Sequence, residues 1–231
     1  MKRLSYADSV LFLEKIVAQD RNDLFWDKKK NILWGRQGEE KSFAFRFPLP
    51  FPAPLPEESL ATYVERLPLL PLPYHLILVQ AGYAALAYAE EGQILKHKAI
   101  TAYMVRKKQG RAQLNYLKTK GKSRLGSRIR LQNTILFFEN IHKKLKEWGK
   151  VQNSCRFIYS GTPTIWHLLY ESKANQNFER KDSRFIKVPL SVRKPNFMEV
   201  RRINAHIKKG RLLLLNPNLS PALPDLEEIE W

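Results

Sequence analysis

The 231-residue chain has a single cysteine, no apolar run of about 18 residues, and few acidic residues for its many bases. A lone thiol excludes an internal disulfide and any zinc site built from clustered cysteines, which fits a reducing compartment. Cys155 itself lies in an apolar strand-like run and reads as core filler. The missing apolar run excludes a membrane-spanning helix, so no membrane is expected as a partner. The N-terminal stretch MKRLSYADSVLFLEK starts basic, but Asp8 and Glu14 interrupt its apolar part and no small-residue cleavage site follows. It reads as mature, cytoplasmic protein rather than a leader. Carboxylates are scarcest where charge is densest: Glu139 and Glu147 are the two acids between Met104 and Lys150, two helical turns apart and too distant to share an ion. That argues against a magnesium-dependent nuclease, and no metal or cofactor is expected. His75, His97, His142, His167 and His206 have no nucleophile-elbow context.

What the chain does have is positive charge and a core. Lys and Arg number 40 against 22 Asp and Glu, a formal net charge of +18, while 44% of residues are apolar. An excess of that size on a folded domain points to a polyanion, and nucleic acid is the common one. The excess is local: fourteen Lys or Arg lie between Met104 and Lys150. Within this region Lys118, Lys120, Lys122 and Arg124 alternate through LKTKGKSRLG, too charged to stay ordered without RNA to neutralise them. A second basic group, from Arg180 to Arg202, is expected to form another wall of the same groove. The C-terminal DLEEIEW reverses the sign and reads as a solvated tail.

The pattern divides near residue 70. Residues 1–70 form a small α+β extension: a helix over VLFLEKIVAQ, strand-like segments holding Trp26 and Trp34, and two proline clusters. Two tryptophans in adjacent strands predict a small hydrophobic core, with an RNA-stacking platform as the alternative. FPLPFPAPLP prevents helix and reads as a stiff connector or a strap along the surface. Residues 71–231 form the larger domain. Three strand-like runs, YHLILVQ, YAALAYAE and ILKHKAITAYM, predict a meander. A long amphipathic helix follows, with Leu131, Ile135, Phe138, Ile141, Leu145 and Trp148 as its core face. Strand, helix, strand, helix and RLLLL as a last strand complete it. The fold class is α/β, a mixed β-sheet covered by helices.

Between meander and helix lies VRKKQGRAQ, four cations around one glycine, ending on Gln113. AYMVRKKQGRAQ, KGKSRLGSRIRLQN and ERKDSRFIKVPLSVRKPNFMEVRRI together resemble the Vms-type release-factor family, tRNA hydrolases of ribosome quality control. That family is similar to the catalytic middle domain of eukaryotic and archaeal peptide-release factors. Gly110, Arg111, Ala112 and Gln113 match its GxxQ motif. Gly126, Ile129, Arg130 and Asn133 match the start of its helix in part, while Leu131, Gln132 and Thr134 depart from it. The eukaryotic members' zinc-finger ligands and ankyrin repeats are missing, so the chain looks like a compact bacterial-type relative.

The resemblance implies a release-factor-like domain acting on peptidyl-tRNA at the large ribosomal subunit, as a monomer. Gly110 and Gln113 are then catalytic. A glutamine amide is no base at neutral pH, but it orients water or stabilises a leaving 3′-oxygen, and the glycine lets backbone approach closely. Arg106, Lys107, Lys108 and Arg111 would grip acceptor-stem phosphates, with Lys118, Lys120, Lys122, Arg124, Arg128, Arg130 and Asn133 as further RNA contacts. Two cuts stay open: the peptidyl ester, or a phosphodiester next to the 3′ CCA end. The alternative is a ribosome- or RNA-binding factor of the same fold without turnover.

Overall fold

The computed structural model describes residues 1–19, 21–37, 40–103, 125–149, 154–175 and 178–215. They fall into two compact units. One holds residues up to Pro73, the turn Glu90–Gln93 and the chain from Asn204; the other holds Tyr74–Ala89 and Ile94–Ile203. No helix among the described residues is long and apolar enough to cross a membrane.

The first unit begins with β1 (Lys2–Leu4) and α1 (Tyr6–Ala18). Ser5 and Asp8 set the start of α1 by a reciprocal capping box, each side chain accepting from the other's backbone amide. Val10, Leu13 and Ile16 recur at helical spacing and are completely buried. β2 (Leu24–Asp27), β3 (Ile32–Gln37), β4 (Glu40–Arg46) and the short α2 (Leu60–Glu65) follow. Late in the chain comes β10 (Gly210–Leu214). The sheet is antiparallel in the order β1-β10-β4-β3-β2. RLLLL is therefore a strand, but it pairs here and not with the meander. The reason is side-chain alternation: Leu212 and Leu214 stand opposite Phe45 and Phe43, on the face carrying the aromatic core.

The proline-rich stretch is not a free connector. Phe47, Leu49 and Phe51 are buried, and Phe51 lies 4.8 Å from the Tyr6 ring, edge to face. Tyr63 Oη donates to the Pro52 carbonyl at 2.9 Å, and Arg66 Nη2 donates to that of Ala53 at 2.9 Å. Prolines leave carbonyls without ladder partners, and these side chains satisfy them. The two tryptophans also part company. Trp26 faces the core beside Phe47 and Tyr63, whereas Trp34 pairs with the exposed Phe25 on the opposite face. Adjacent strands in register place residues 26 and 33, not 26 and 34, on one side.

In the second unit, β5 (Tyr74–Gln80), β6 (Tyr83–Glu90) and β7 (Gln93–Thr101) form the expected meander. α3 (Leu125–Trp148) leads to β8 (Arg156–Ser160), then α4 (Pro163–Tyr170), β9 (Phe185–Lys187) and α5 (Phe197–Ile207). The sheet order is β7-β6-β5-β8-β9, with β8 parallel to both β5 and β9. It is the mixed, helix-covered α/β sheet the sequence predicts. Ile77, Val79 and Leu86 meet Phe137, Phe138, Ile141 and Leu145 of α3 in one core. Leu76, Leu78, Ala85 and Ala87, on the other face, are buried as well. Burial on both sides is why β5 and β6 read as continuous apolar runs rather than alternating ones.

Candidate functional site

Parallel strands end together, so the carboxyl ends of β5, β8 and β9 share one edge of the sheet. The start of β6 and the end of β7 reach the same edge. The turn from β5 to β6 needs Gly82, whose φ is +80°; a Cβ there would lie 2.6 Å from the Ala102 carbonyl oxygen. That closeness allows Ala102 N to donate to Gly82 O at 2.9 Å, which clamps the chain as it leaves β7. One residue on, the carbonyl of Tyr103 accepts from Nδ2 of Asn133 at 3.2 Å. The segment 104–124 therefore departs from, and returns to, stems that are tied to each other.

At the ends of β5, β8 and β9 is a cavity of about 400 Å³ with Gln80, Gly161, Thr162, Ile165, Lys187 and Val192 in its wall. Gln80 Nε2 donates to the carbonyls of Val192 and Arg193 at 3.0 and 3.1 Å, fixing one wall. Gly161 adopts φ +148° and leaves no room for a Cβ, which would stand 2.8 Å from Trp166 Nε1. Lys194 sits over the Tyr83 ring at 4.3 Å. A second, smaller hollow of about 300 Å³ lies between β7 and α3, bordered by Lys98, Lys143 and Lys144 with Glu147, which pairs with Lys144. This end of the sheet can bind a flat, partly apolar group next to phosphate.

Among the described residues the wall of the larger cavity holds no carboxylate, imidazole or thiol; its hydroxyls and its amine come from Ser160, Thr162 and Lys187. Cys155 precedes β8 and His75 lies at the start of β5, both at the far end of the strands. Burial pushes the Cys155 thiol up to about 11, so it stays protonated at neutral pH. Burial, reinforced by Arg184, pushes His75 down to about 3 and keeps it neutral.

The predicted site residues divide accordingly. Arg106, Lys107, Lys108, Gly110, Arg111, Gln113, Lys118, Lys120, Lys122 and Arg124 lie outside the described residues, as does the side chain of Arg128 on α3. The acidic C-terminal stretch does too. Arg130 is half-buried on α3, its carbonyl accepting from Thr134 Oγ1 at 2.8 Å. Asn133, predicted as an RNA contact, spends its amide on Tyr103. Asn133→Leu is expected to destabilise the chain by about 1 kcal/mol, the usual net value of one hydrogen bond. Urea unfolding measures this, and a loss above about 3 kcal/mol would mean that Asn133 supports more than this stem. The second basic group is less cationic than its count. Arg180, Arg184 and Arg202 pair with Glu171, Asp182 and Glu199, which offsets part of its charge. Sequence reasoning missed the cavity, because its walls come from three separate segments that parallel pairing brings together.

Residues 74–213 match the family described as bVLRF1, Bacteroidetes VLRF1 release factor. Among curated proteins the chain is similar to tRNA endonuclease ANKZF1 of Mus musculus, 25% identical over 136 residues, 58% of this chain and 18% of that protein. The Homo sapiens protein of the same name is 25% identical over 131 residues, 55% of this chain and 18% of its own. The chain thus spans less than a fifth of these relatives' length. Among solved structures, the Vms1 mitochondrial localization core aligns over 93% of this chain and 91% of its own, with 12% identity and a TM-score of 0.49.

Proposed function

Because the chain belongs to the Bacteroidetes VLRF1 release factor family, we propose that it releases nascent peptide from peptidyl-tRNA on stalled ribosomes through Gly110–Gln113. The observation that carries this reading is position. The Gly-Arg-Ala-Gln stretch falls inside the matched residues, in the segment whose stems Asn133 and Gly82 tie together at a cation-bordered sheet edge.

The peptidyl ester is already reactive, so a catalyst needs mainly to admit one water and hold it in line. In hydrolysis the water oxygen bonds to the acyl carbon, the bond from that carbon to the 3′-oxygen breaks, and the 3′-oxygen takes a proton. Gln113 serves by accepting from the water with its carbonyl or donating to the leaving oxygen with its amide. Arg106, Lys107, Lys108 and Arg111 hold acceptor-stem phosphates and set the depth of entry. A second cut is favoured by the name of the similar mammalian proteins, tRNA endonucleases. There the ribose 2′-hydroxyl next to the CCA end attacks its phosphodiester to form a 2′,3′-cyclic phosphate, the bond from phosphorus to the 5′-oxygen breaks, that oxygen takes the proton, and the same cations stabilise the charge that builds up.

The test uses stalled ribosome complexes carrying labelled peptidyl-tRNA. Free peptide with full-length tRNA supports ester hydrolysis, peptide still joined to a CCA fragment supports the endonuclease cut, and no product from either end removes both. Binding is tested separately. Lys118→Ala, Lys120→Ala and Lys122→Ala combined are expected to lower the salt dependence of tRNA affinity by about 2 to 3 in log-log slope, at 0.7 to 0.9 per phosphate. An unchanged slope would remove these lysines from the RNA contact.

A further inference from the structure

The face of the first sheet turned away from its aromatic core carries two cross-strand rows. Arg3 lies opposite Arg211, and Arg211 opposite Arg46, so three arginines stand abreast on adjacent strands, about 5 Å apart at the backbone. One pleat along, Phe25 lies opposite Trp34, Trp34 opposite Ala44, and Ala44 opposite Leu213. Arg3, Phe25 and Leu213 are exposed; Trp34, Arg46 and Arg211 are half-buried. Two further exposed cations cover the rings: Lys41 Nζ is 4.2 Å from the Trp34 ring centre, and Arg36 Cζ is 5.2 Å from that of Phe25.

Like charges directly opposite each other destabilise a sheet. Among the described residues no carboxylate pairs with Arg3, Arg46 or Arg211. Arg211 meets the ring nitrogen Nδ1 of His206 at 3.0 Å, a partner that brings no negative charge. Asp27, at the far end of the same row, is engaged by Lys30 at 3.4 Å. Burial, together with the charges of Arg3 and Arg46, holds Arg211 below the ordinary arginine range. A row of guanidinium groups kept together at such cost is an anion site awaiting its anion. The aromatic row beside it says which anion. Bases stack on exposed rings while cations follow the phosphates, and an acidic peptide has no flat groups for Trp34 and Phe25.

We propose that this face is a second RNA-binding surface, taking single-stranded RNA with its phosphates along Arg3, Arg211 and Arg46 and its bases against Trp34 and Phe25. The surface lies wholly within the first unit and does not rest on the hydrolytic reading.

Fluorescence anisotropy with a labelled single-stranded RNA of about 16 nucleotides tests it, matched to common site sizes. The full chain carries Gln113→Ala throughout, so turnover plays no part. Arg3→Gln, Arg46→Gln and Arg211→Gln combined are expected to flatten the log-log salt slope by about 2, at about 0.7 per phosphate for single strands, and to raise Kd about tenfold or more. Trp34→Leu is expected to raise Kd about fivefold or more with the slope unchanged. Unchanged Kd and slope in the arginine variant overturn the proposal, as does displacement of the RNA by polyglutamate as effective as by unlabelled RNA. Should the arginine variant lose its native circular dichroism, Arg3→Gln alone takes its place. That side chain is exposed, the slope should flatten by about 0.7, and an unaltered slope there overturns the proposal equally.

Discussion

Gln113→Ala is expected to abolish peptide release from stalled ribosome complexes while leaving the chain bound to them. Removing one oriented donor or acceptor from a reacting oxygen costs about 10²- to 10³-fold in rate, roughly 3 to 4 kcal/mol of barrier. Here the loss should reach the upper end, because the described cavity wall holds no carboxylate or imidazole to substitute. His75 and Cys155 lie at the opposite strand ends and are held neutral. Binding should persist because Arg106, Lys107, Lys108 and Arg111 are unchanged. Gln113→Asn keeps the amide but withdraws it by one methylene and should recover little, since alignment fails well within that distance. Gln113→Glu separates donor from acceptor: a carboxylate still accepts from water but cannot donate to a leaving oxygen. Single-turnover release with co-sedimentation as the binding control reads all three. Release by Gln113→Ala at the wild-type rate would leave the protein as an RNA-binding factor without turnover at this residue.

The sequence announced the edge but not its construction. The meander, the long helix and the basic segment between them were readable because apolar runs, helical spacing and charge are local properties. The face of α3 was read one step off. Leu131 and Ile135 were expected inside, yet they are 42% and 50% exposed, while Phe137 and Thr134 are buried. At about 100° per residue, Ile135 points about 120° from Ile141, outside the stripe that Phe137, Ile141, Leu145 and Trp148 share. Apolar identity hid this, since the chain has more apolar residues on that helix than its core needs. Other misses were non-local. No local pattern tells that RLLLL returns to pair between β1 and β4, that Leu49 and Phe51 bury the proline stretch, or that Glu171 and Asp182 neutralise arginines counted as free. Those depend on partners distant in sequence or on which way a short loop turns. The same holds for Trp34: one residue of register decides between core and open face.

Acid should destabilise this protein well before its carboxylates titrate, because of His75. Its ring lies among Tyr88, Trp148 and Phe157, at centroid distances of 5.0, 6.0 and 5.6 Å. Nδ1 is 2.7 Å from Ser154 Oγ, and Nε2 is buried with no partner. The neutral tautomer that donates from Nδ1 leaves a bare lone pair on Nε2, which is tolerable. Protonation would add a buried N–H with no acceptor, near Arg184, and the folded-state value drops from 6.5 to about 3. The sign follows. Below about 6.5 the unfolded chain takes a proton that the folded chain refuses, so stability falls as pH falls, until the folded-state value near 3 is reached. His142, held down by burial against the opposing bond to the Leu169 carbonyl, acts in the same direction. Glu58, Asp182 and Glu199, all held below the usual carboxylate range, add their losses only at lower pH. Between pH 6.5 and 5 the loss should therefore come mainly from histidine, about 2 kcal/mol for one refused proton at about 1.4 kcal/mol per pH unit. Urea unfolding across that range measures it. His75→Phe fits the same aromatic cage and takes up no proton, so its stability curve should be flatter by that amount; curves that run parallel would mean that the ring is protonated inside the fold. β5 is the central strand of the sheet whose other end holds the stems at Ala102 and Tyr103, so release activity should lose resistance to heat in the same window and regain it in the phenylalanine variant.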